Sequence, residues 1–293
     1  MVACGFWALL PSEGEFAPLR EGMALRARDM AWILGGAVVV FAVGLLDDLK
    51  DLGPGAKLSV ELGVAVSVAL LVPEARVSAL SSAPVLQVAL AVAWIVGLTN
   101  AFNFLDNMDG LSAGVAAIAA ALLAAIALST GRLLMAGYFL ALLGAVAGFL
   151  AFNMPPASIF LGDAGSLLIG YLMSVGSILF TYDQAPRSMA PLGVPLLVFG
   201  VPIFDAVTVL GIRLQEGRPL SRGDRSHFSH RLVALGMSPR EAVGTICLLS
   251  FVVGMGALLL YHVPREGVPL LLLQALGALA IVGLLERSAR RKR

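Results

Sequence analysis

Nine apolar runs, at about 30–46, 57–73, 84–99, 111–129, 133–152, 164–182, 189–212, 240–262 and 267–285, follow one another with short polar connections between them. Each is close to the ~20 residues that a helix needs to cross a bilayer. A segment in lipid must satisfy its backbone polar groups internally, which leaves helices and closed barrels. Barrel strands alternate apolar and polar residues with period two, and these runs do not. The pattern predicts an all-α polytopic integral membrane protein, a bundle of about nine transmembrane helices. Ala, Gly and Val fill the runs, as suits helices that approach one another closely.

Polar residues gather in connections 47–56, 100–110, 153–163 and 213–239. Counting Lys and Arg in alternate loops gives thirteen on one side and seven on the other. The richer side is expected to be cytoplasmic. Asp47, Asp48, Asp51, Asn100, Asn103, Asp106, Asp109, Asn153, Asp163, His227 and His230 all fall on it. Scattered loop polars would divide between both faces, so one face has been made chemical, and its loops are the candidate active-site loops.

Composition agrees with a membrane setting. The 293 residues are 59% hydrophobic and 13% charged, with a mean hydropathy of +0.91. Soluble domains run at roughly 45–50% apolar and about 25% charged. The net charge of +1 indicates no particular partner, and no nucleic acid is expected. Cys4 and Cys247 sit in apolar surroundings and read as small core residues. The first stretch, VACGFWALLP, lacks the basic leader and cleavage site of a signal peptide.

Four constellations hold the chemistry. In GLLDDLKDLGPGAK, Asp47 and Asp48 end the first helix, where carboxylates meet the negative end of the macrodipole. A cation site or a general base explains them better than a solvated helix end. Lys57 opens the next helix, as a snorkelling anchor or as a phosphate ligand. NAFNFLDNMDGL supplies hard oxygen donors of the kind Mg²⁺ accepts, with Gly110 for a tight turn. Asp109 also suits a helix cap, but a cap needs one such residue. In FNMPPASIFLGDAGSLLIGY, Asp163 starts a helix, as an N-cap or beside a phosphate held by exposed amides. GDRSHFSHRLVALG brings His227, His230 and Arg231 into a basic loop suited to a diphosphate. Asp205, two turns inside its helix, is an intramembrane acid of open role.

DDLKD, NAFNFLDNMDGL, FLGDAGSL and DRSHFSHRL, in this order over about residues 30–240, resemble the motifs of the polyprenyl-phosphate N-acetylhexosamine-1-phosphate transferases. DRSHFSHRL and VPIFD look like the bacterial branch that loads N-acetylglucosamine 1-phosphate onto undecaprenyl phosphate. The resemblance implies a Mg²⁺-dependent (or Mn²⁺-dependent) reaction of UDP-N-acetylglucosamine with undecaprenyl phosphate, releasing UMP, in the bacterial plasma membrane. It makes Asp47 and Asp48 the acidic pair acting on the lipid phosphate, and Asp163 and Asn103 the metal ligands. Asp51, Lys57, Asn100, Asp106, Asp109, Asn153, His227, His230 and Arg231 form the implied substrate-binding set. A homodimer is implied as well.

Two departures stand out. The histidine loop, usually H-x-H-H, here reads HFSH with Ser229 in the middle. Family members have ten or eleven spans, so residues 1–29 read as the remnant of a truncated helix and loop ahead of a multi-span domain, 30–293. The alternatives are a phospho-N-acetylmuramoyl-pentapeptide transferase-like enzyme and a truncated paralogue that binds lipid phosphate without turnover. A cation-coupled transporter would hold its acids near the midplane, on broken helices.

Overall fold

A computed structural model describes residues 26–78, 80–182, 190–219, 226–260, 263 and 267–290. The expected remnant, apart from residues 26–29, and the 220–225 part of the basic loop lie outside these described residues. Among them the secondary structure is helical: α1 Ala27–Lys50, α2 Pro54–Leu71, α3 Pro84–Leu105, α4 Leu111–Ser129, α5 Leu133–Asn153, α6 Gly162–Tyr182, α7 Ala190–Val198, α8 Gly200–Gln215, α9 Phe228–Ala234, α10 Pro239–Leu259 and α11 Val268–Arg290. Seven of these, α1 to α6 and α10, are long and apolar enough to cross a membrane by length and composition. The chain is thus a multi-pass membrane protein.

The expected run 189–212 is not one helix but two, α7 and α8, separated at Phe199. Pro202 has no N–H to donate to the Val198 carbonyl, so the helical ladder is interrupted there. The last expected run, 267–285, lies on α11.

Lipid tails are as apolar as leucine, so spans associate by close packing rather than by leaving water. α6 is the most enclosed span, packed on α1 and on α3, and the Ala-rich α4 is nearly as enclosed between α5 and α10. Successive spans run up and down. The C-terminal ends of α1, α3 and α5 therefore meet the N-terminal ends of α2, α4 and α6 at one end of the bundle. Arg76 closes the opposite end of α2 on the carbonyls of Ala69 and Leu70, at 2.8 and 2.9 Å. An apolar cavity of about 200 Å³ lined by Val77, Leu90, Trp94, Ile178 and Leu196 lies toward that opposite end and contains no charged side chain. It is not where the sequence places its chemistry.

Candidate active site

The end of α1 approaches the start of α6 because Gly44 has no side chain. A Cβ there would lie 2.5 Å from the Asp163 carbonyl oxygen and 2.6 Å from the Ala164 Cα, both backbone atoms. This contact brings Asp48 to the first amides of α6. Its Oδ1 accepts the Asp163 N–H at 2.9 Å and its Oδ2 the Ala164 N–H at 3.1 Å. Asp163 is therefore not its own helix cap, because a carboxylate from α1 occupies that position. Gly162, at φ 65°, makes room for it, since a Cβ there would sit 2.7 Å from Asp48 Oδ2.

Lys57, from the first turn of α2, is neither snorkelling nor free. Its Nζ donates to Asp47 Oδ2 at 2.7 Å and to Asp163 Oδ2 at 2.6 Å. The three side chains are 21%, 12% and 26% exposed. Removing one partner of a fully buried ion pair costs about 3–5 kcal/mol, and residual solvent lowers that figure here. Asn103 completes the cluster, its Nδ2 donating to Asp163 Oδ1 at 2.9 Å and to Ser166 Oγ at 3.0 Å. Asp47 Oδ1 is buried without a hydrogen-bond partner.

The loop 106–110 adjoins this cluster, where the Gly162 backbone hydrogen-bonds Asp106. Gly110 makes the expected turn, at φ 75°. Asp109 does not cap α4; its Oδ2 accepts the Ala157 N–H at 3.0 Å. Asn153, placed by sequence among the substrate ligands, is 3% exposed and engaged at both ends of its amide. It accepts from Gly110 N at 2.9 Å and donates to the Ile159 carbonyl at 2.9 Å, bracing two loops. Asp51 is exposed and ends α1 in the left-handed region, at φ 53°. Burial, and then the charges of Asp163, Asp48 and Asp109, push the Asp106 carboxyl up to about 7, against a hydrogen bond from the Gly162 backbone.

The raised Asp106 predicts a pH dependence of stability. An unfolded aspartate titrates near ~3.9, so between about pH 4 and pH 7 the folded chain binds the extra proton. That contribution is complete below the unfolded value and is lost as pH rises through about 7. Thermal melting of Asp106→Asn in detergent should give a flatter Tm–pH curve between about pH 5 and pH 8 than the parent. A parallel pair of curves contradicts the assignment.

Two further groups were missed by sequence. Glu61, one turn beyond Lys57 on α2, is 4% exposed and accepts from the Asn100 amide, which also donates to the Val96 carbonyl at 2.9 Å. Its spacing from Lys57 in an otherwise apolar helix was the available signal. Asn107 accepts from Ser229 Oγ and donates to the Phe104 carbonyl at 2.7 Å, tying the HFSH segment to the 100–110 loop. Ser229 thus makes a structural bond at the position where the family pattern has histidine.

The histidine segment forms a second group. His227 Nδ1 lies 2.9 Å from Asp205 Oδ2, and its ring meets Phe104 edge-on at 6.0 Å. Arg231, 5% exposed, donates to the Ser226 carbonyl at 2.6 Å and to Thr208 Oγ1 at 3.2 Å. His230 is half-buried in α9.

The expected metal site can be tested on the donors. Among the described residues no three Asp, Glu, His or Cys side chains converge as a metal cluster. Mg²⁺, however, commonly binds through one or two carboxylates with waters and substrate phosphates completing the shell. Asp163, the unpartnered Asp47 Oδ1 and the neighbouring Asn103 fit that mode, with hard oxygens on two carboxylates. Lys57 now holds the position between those carboxylates.

The sequence model of glycosyl transferase family 4 matches residues 30–181. A protein of Bacillus subtilis (strain 168) named "Probable undecaprenyl-phosphate N-acetylglucosaminyl 1-phosphate transferase" is 36% identical over 251 residues, 83% of this chain and 68% of its own. The decaprenyl-phosphate N-acetylglucosaminephosphotransferase of Mycobacterium tuberculosis (strain CDC 1551 / Oshkosh) is 31% identical, over 92% of this chain and 72% of its own. The undecaprenyl-phosphate alpha-N-acetylglucosaminyl 1-phosphate transferase of Thermotoga maritima is 31% identical, over 66% and 58%. The chain spans between 58% and 72% of the length of these relatives.

Proposed function

The chain belongs to glycosyl transferase family 4 and is a transferase, and we propose that it moves N-acetylglucosamine 1-phosphate from UDP-N-acetylglucosamine to undecaprenyl phosphate, releasing UMP. The observation that carries this reading is the Lys57 ammonium held between Asp47 and Asp163 at the membrane-surface ends of α1, α2 and α6. One cation among several carboxylates, at the level of lipid headgroups, suits an anionic lipid substrate and a diphosphate. The basic loops support a cytoplasmic active-site end in a bacterial plasma membrane. There UDP-sugars are available.

In the proposed reaction an oxygen of the lipid phosphate bonds to the sugar-bearing phosphorus, and the bridging oxygen leaves with UMP. Phosphoryl transfer needs positioning and charge neutralisation more than covalent help. Lys57 neutralises anionic oxygens and, on leaving a carboxylate, is free to bind phosphate. Asp47, through the Oδ2 that Lys57 leaves, is the carboxylate available to hold the proton of an incoming phosphate monoester. Asp48 locks α1 onto α6 and keeps that geometry. Asp163, Asp47 and Asn103 would hold a Mg²⁺, which when bound supplies charge neutralisation at the diphosphate. Asp106, protonated near neutrality, offers a donor to the nucleotide-sugar, and His227, His230 and Arg231 line its far side.

The test is the lipid product. Purified protein in detergent, given undecaprenyl phosphate, Mg²⁺ and one UDP-sugar at a time, should yield a lipid-diphosphate-N-acetylglucosamine by mass spectrometry. Product from the UDP-N-acetylmuramoyl-pentapeptide alone transfers the assignment to the pentapeptide branch. Bound lipid phosphate with no product from any UDP-sugar favours a non-catalytic binding protein.

A further inference from the structure

Asp205 is the one intramembrane acid of the sequence reading that the proposed reaction leaves without a task. It is wholly buried, at 0% exposure, and its contacts are separate from those of Lys57. Oδ1 accepts the Phe228 N–H at 2.6 Å, the first amide of α9, and Oδ2 lies 2.9 Å from His227 Nδ1. Both carboxylate oxygens thus point at the start of the histidine segment. Thr208, one turn on in α8, meets Arg231 of the same segment at 3.2 Å. α8 presents a fixed edge onto which residues 227–231 are fastened.

A carboxylate only accepts hydrogen bonds, and Oδ1 of this one takes the Phe228 N–H. The ring nitrogen facing it must therefore bear the proton, in the neutral and in the cationic imidazole alike. Nε2, on the other side of the ring, is then directed away from α8. His227 stands against Phe104, the residue after Asn103, and Ser229 bonds to Asn107, so the ring sits beside the loop that holds Asp106. We infer that Asp205 is a positioning residue for sugar-phosphate transfer: it fixes the proton of His227 on Nδ1 and presents Nε2 to the phosphates of the nucleotide-sugar. With the ring neutral, Nε2 accepts; with the ring protonated, it donates to phosphate oxygen, and the Asp205 anion supports that charge. A carboxylate behind a histidine plays this part in unrelated enzymes through geometry alone. The inference rests on the reaction proposed above.

A purely structural Asp205 would only cap α9, and asparagine caps equally well. Asp205→Asn separates the two roles. Its side-chain oxygen can still accept from Phe228 N, while its NH₂ donates to Nδ1 and moves the ring proton to Nε2. The chain has three histidines, His227, His230 and His262, so ¹⁵N-histidine spectra in detergent or lipid are tractable, with His227 assigned by its loss in His227→Gln. The parent should show a protonated Nδ1 at His227, and Asp205→Asn a protonated Nε2. Turnover should fall on the order of 10²-fold or more, with an unchanged Tm and a far smaller change in KM for the UDP-sugar. Adding His227→Gln to Asp205→Asn should cost little further, since both act through one ring. Wild-type turnover in Asp205→Asn, a parent ring already protonated at Nε2, or additive losses in the double variant would each overturn the inference. Should Asp205→Asn fail to fold, the parent spectrum and the turnover of His227→Gln decide, and full activity in the latter overturns it. A parent inactive on every UDP-sugar removes the reaction itself and Asp205's role with it. An active parent with an active Asp205→Asn removes only the role.

Discussion

Asp163→Asn should release UMP at least ~10³-fold more slowly than the parent chain while remaining folded. Asp163 is the carboxylate that meets Lys57, Asn103 and Asp48 together. Its Oδ2 receives Lys57 at 2.6 Å, its Oδ1 receives Asn103 at 2.9 Å, and its own N–H is held by Asp48 at 2.9 Å. Asparagine keeps the shape, the backbone bond to Asp48 and one acceptor oxygen. It loses the charge that balances Lys57 and would help hold a divalent cation. The fold should tolerate this, because Lys57 retains Asp47 at 2.7 Å. The expected signature is a collapse of turnover with a Tm within a few degrees of the parent. Turnover within tenfold of the parent would remove Asp163 from the machinery.

Gly44→Ala should be the most damaging single-methyl change at the α1–α6 contact. The added carbon meets Asp163 O at 2.5 Å, Ala164 Cα at 2.6 Å and Ala164 N at 2.7 Å, and none of these is a side chain that can rotate away. The helices must separate, at a cost of about 1–3 kcal/mol for overpacking. Separation draws Asp48 off the α6 amides and parts Asp47 from Asp163, the two carboxylates that Lys57 bridges, and a displacement of about 1 Å in such a site can cost ~10²-fold in rate. Gly35, on the same helix, has nothing within 4 Å of its would-be Cβ. Gly35→Ala should therefore keep full activity and melt no lower, given the better helix propensity of alanine. Melting and UMP-release assays on the pair check the account. Equal behaviour of the two variants would mean that the α1–α6 approach does not position the carboxylates.

The apolar runs were sufficient to anticipate the helical bundle because transmembrane length and hydropathy are properties of a window. A single missing N–H is not, and so Pro202 breaking the run at Phe199 escaped a pattern that reads 189–212 as one segment. At the candidate site the residue types were legible and the pairings were not. Acids, amides and a lysine gathered on one side announce a polar site. Yet nothing local reveals that Asp48 caps a helix 115 residues away, or that Asn153 serves loop backbone rather than solvent. Glu61 was hidden by its apolar surroundings, although its place one turn from Lys57 was visible. Asp205 was flagged by the cost of an acid in the membrane, but its partner His227 lies beyond a helix end and a loop.

The most direct measurement is the identity of the nucleotide released when the purified chain meets UDP-N-acetylglucosamine, undecaprenyl phosphate and Mg²⁺. Attack at the sugar-bearing phosphorus breaks the diphosphate and releases UMP; attack at the sugar carbon would leave the diphosphate intact and release UDP. A carboxylate–lysine cluster built for phosphoryl transfer predicts UMP, dependent on the lipid phosphate and abolished by EDTA. Release of UDP, or of UMP without the lipid, would contradict it.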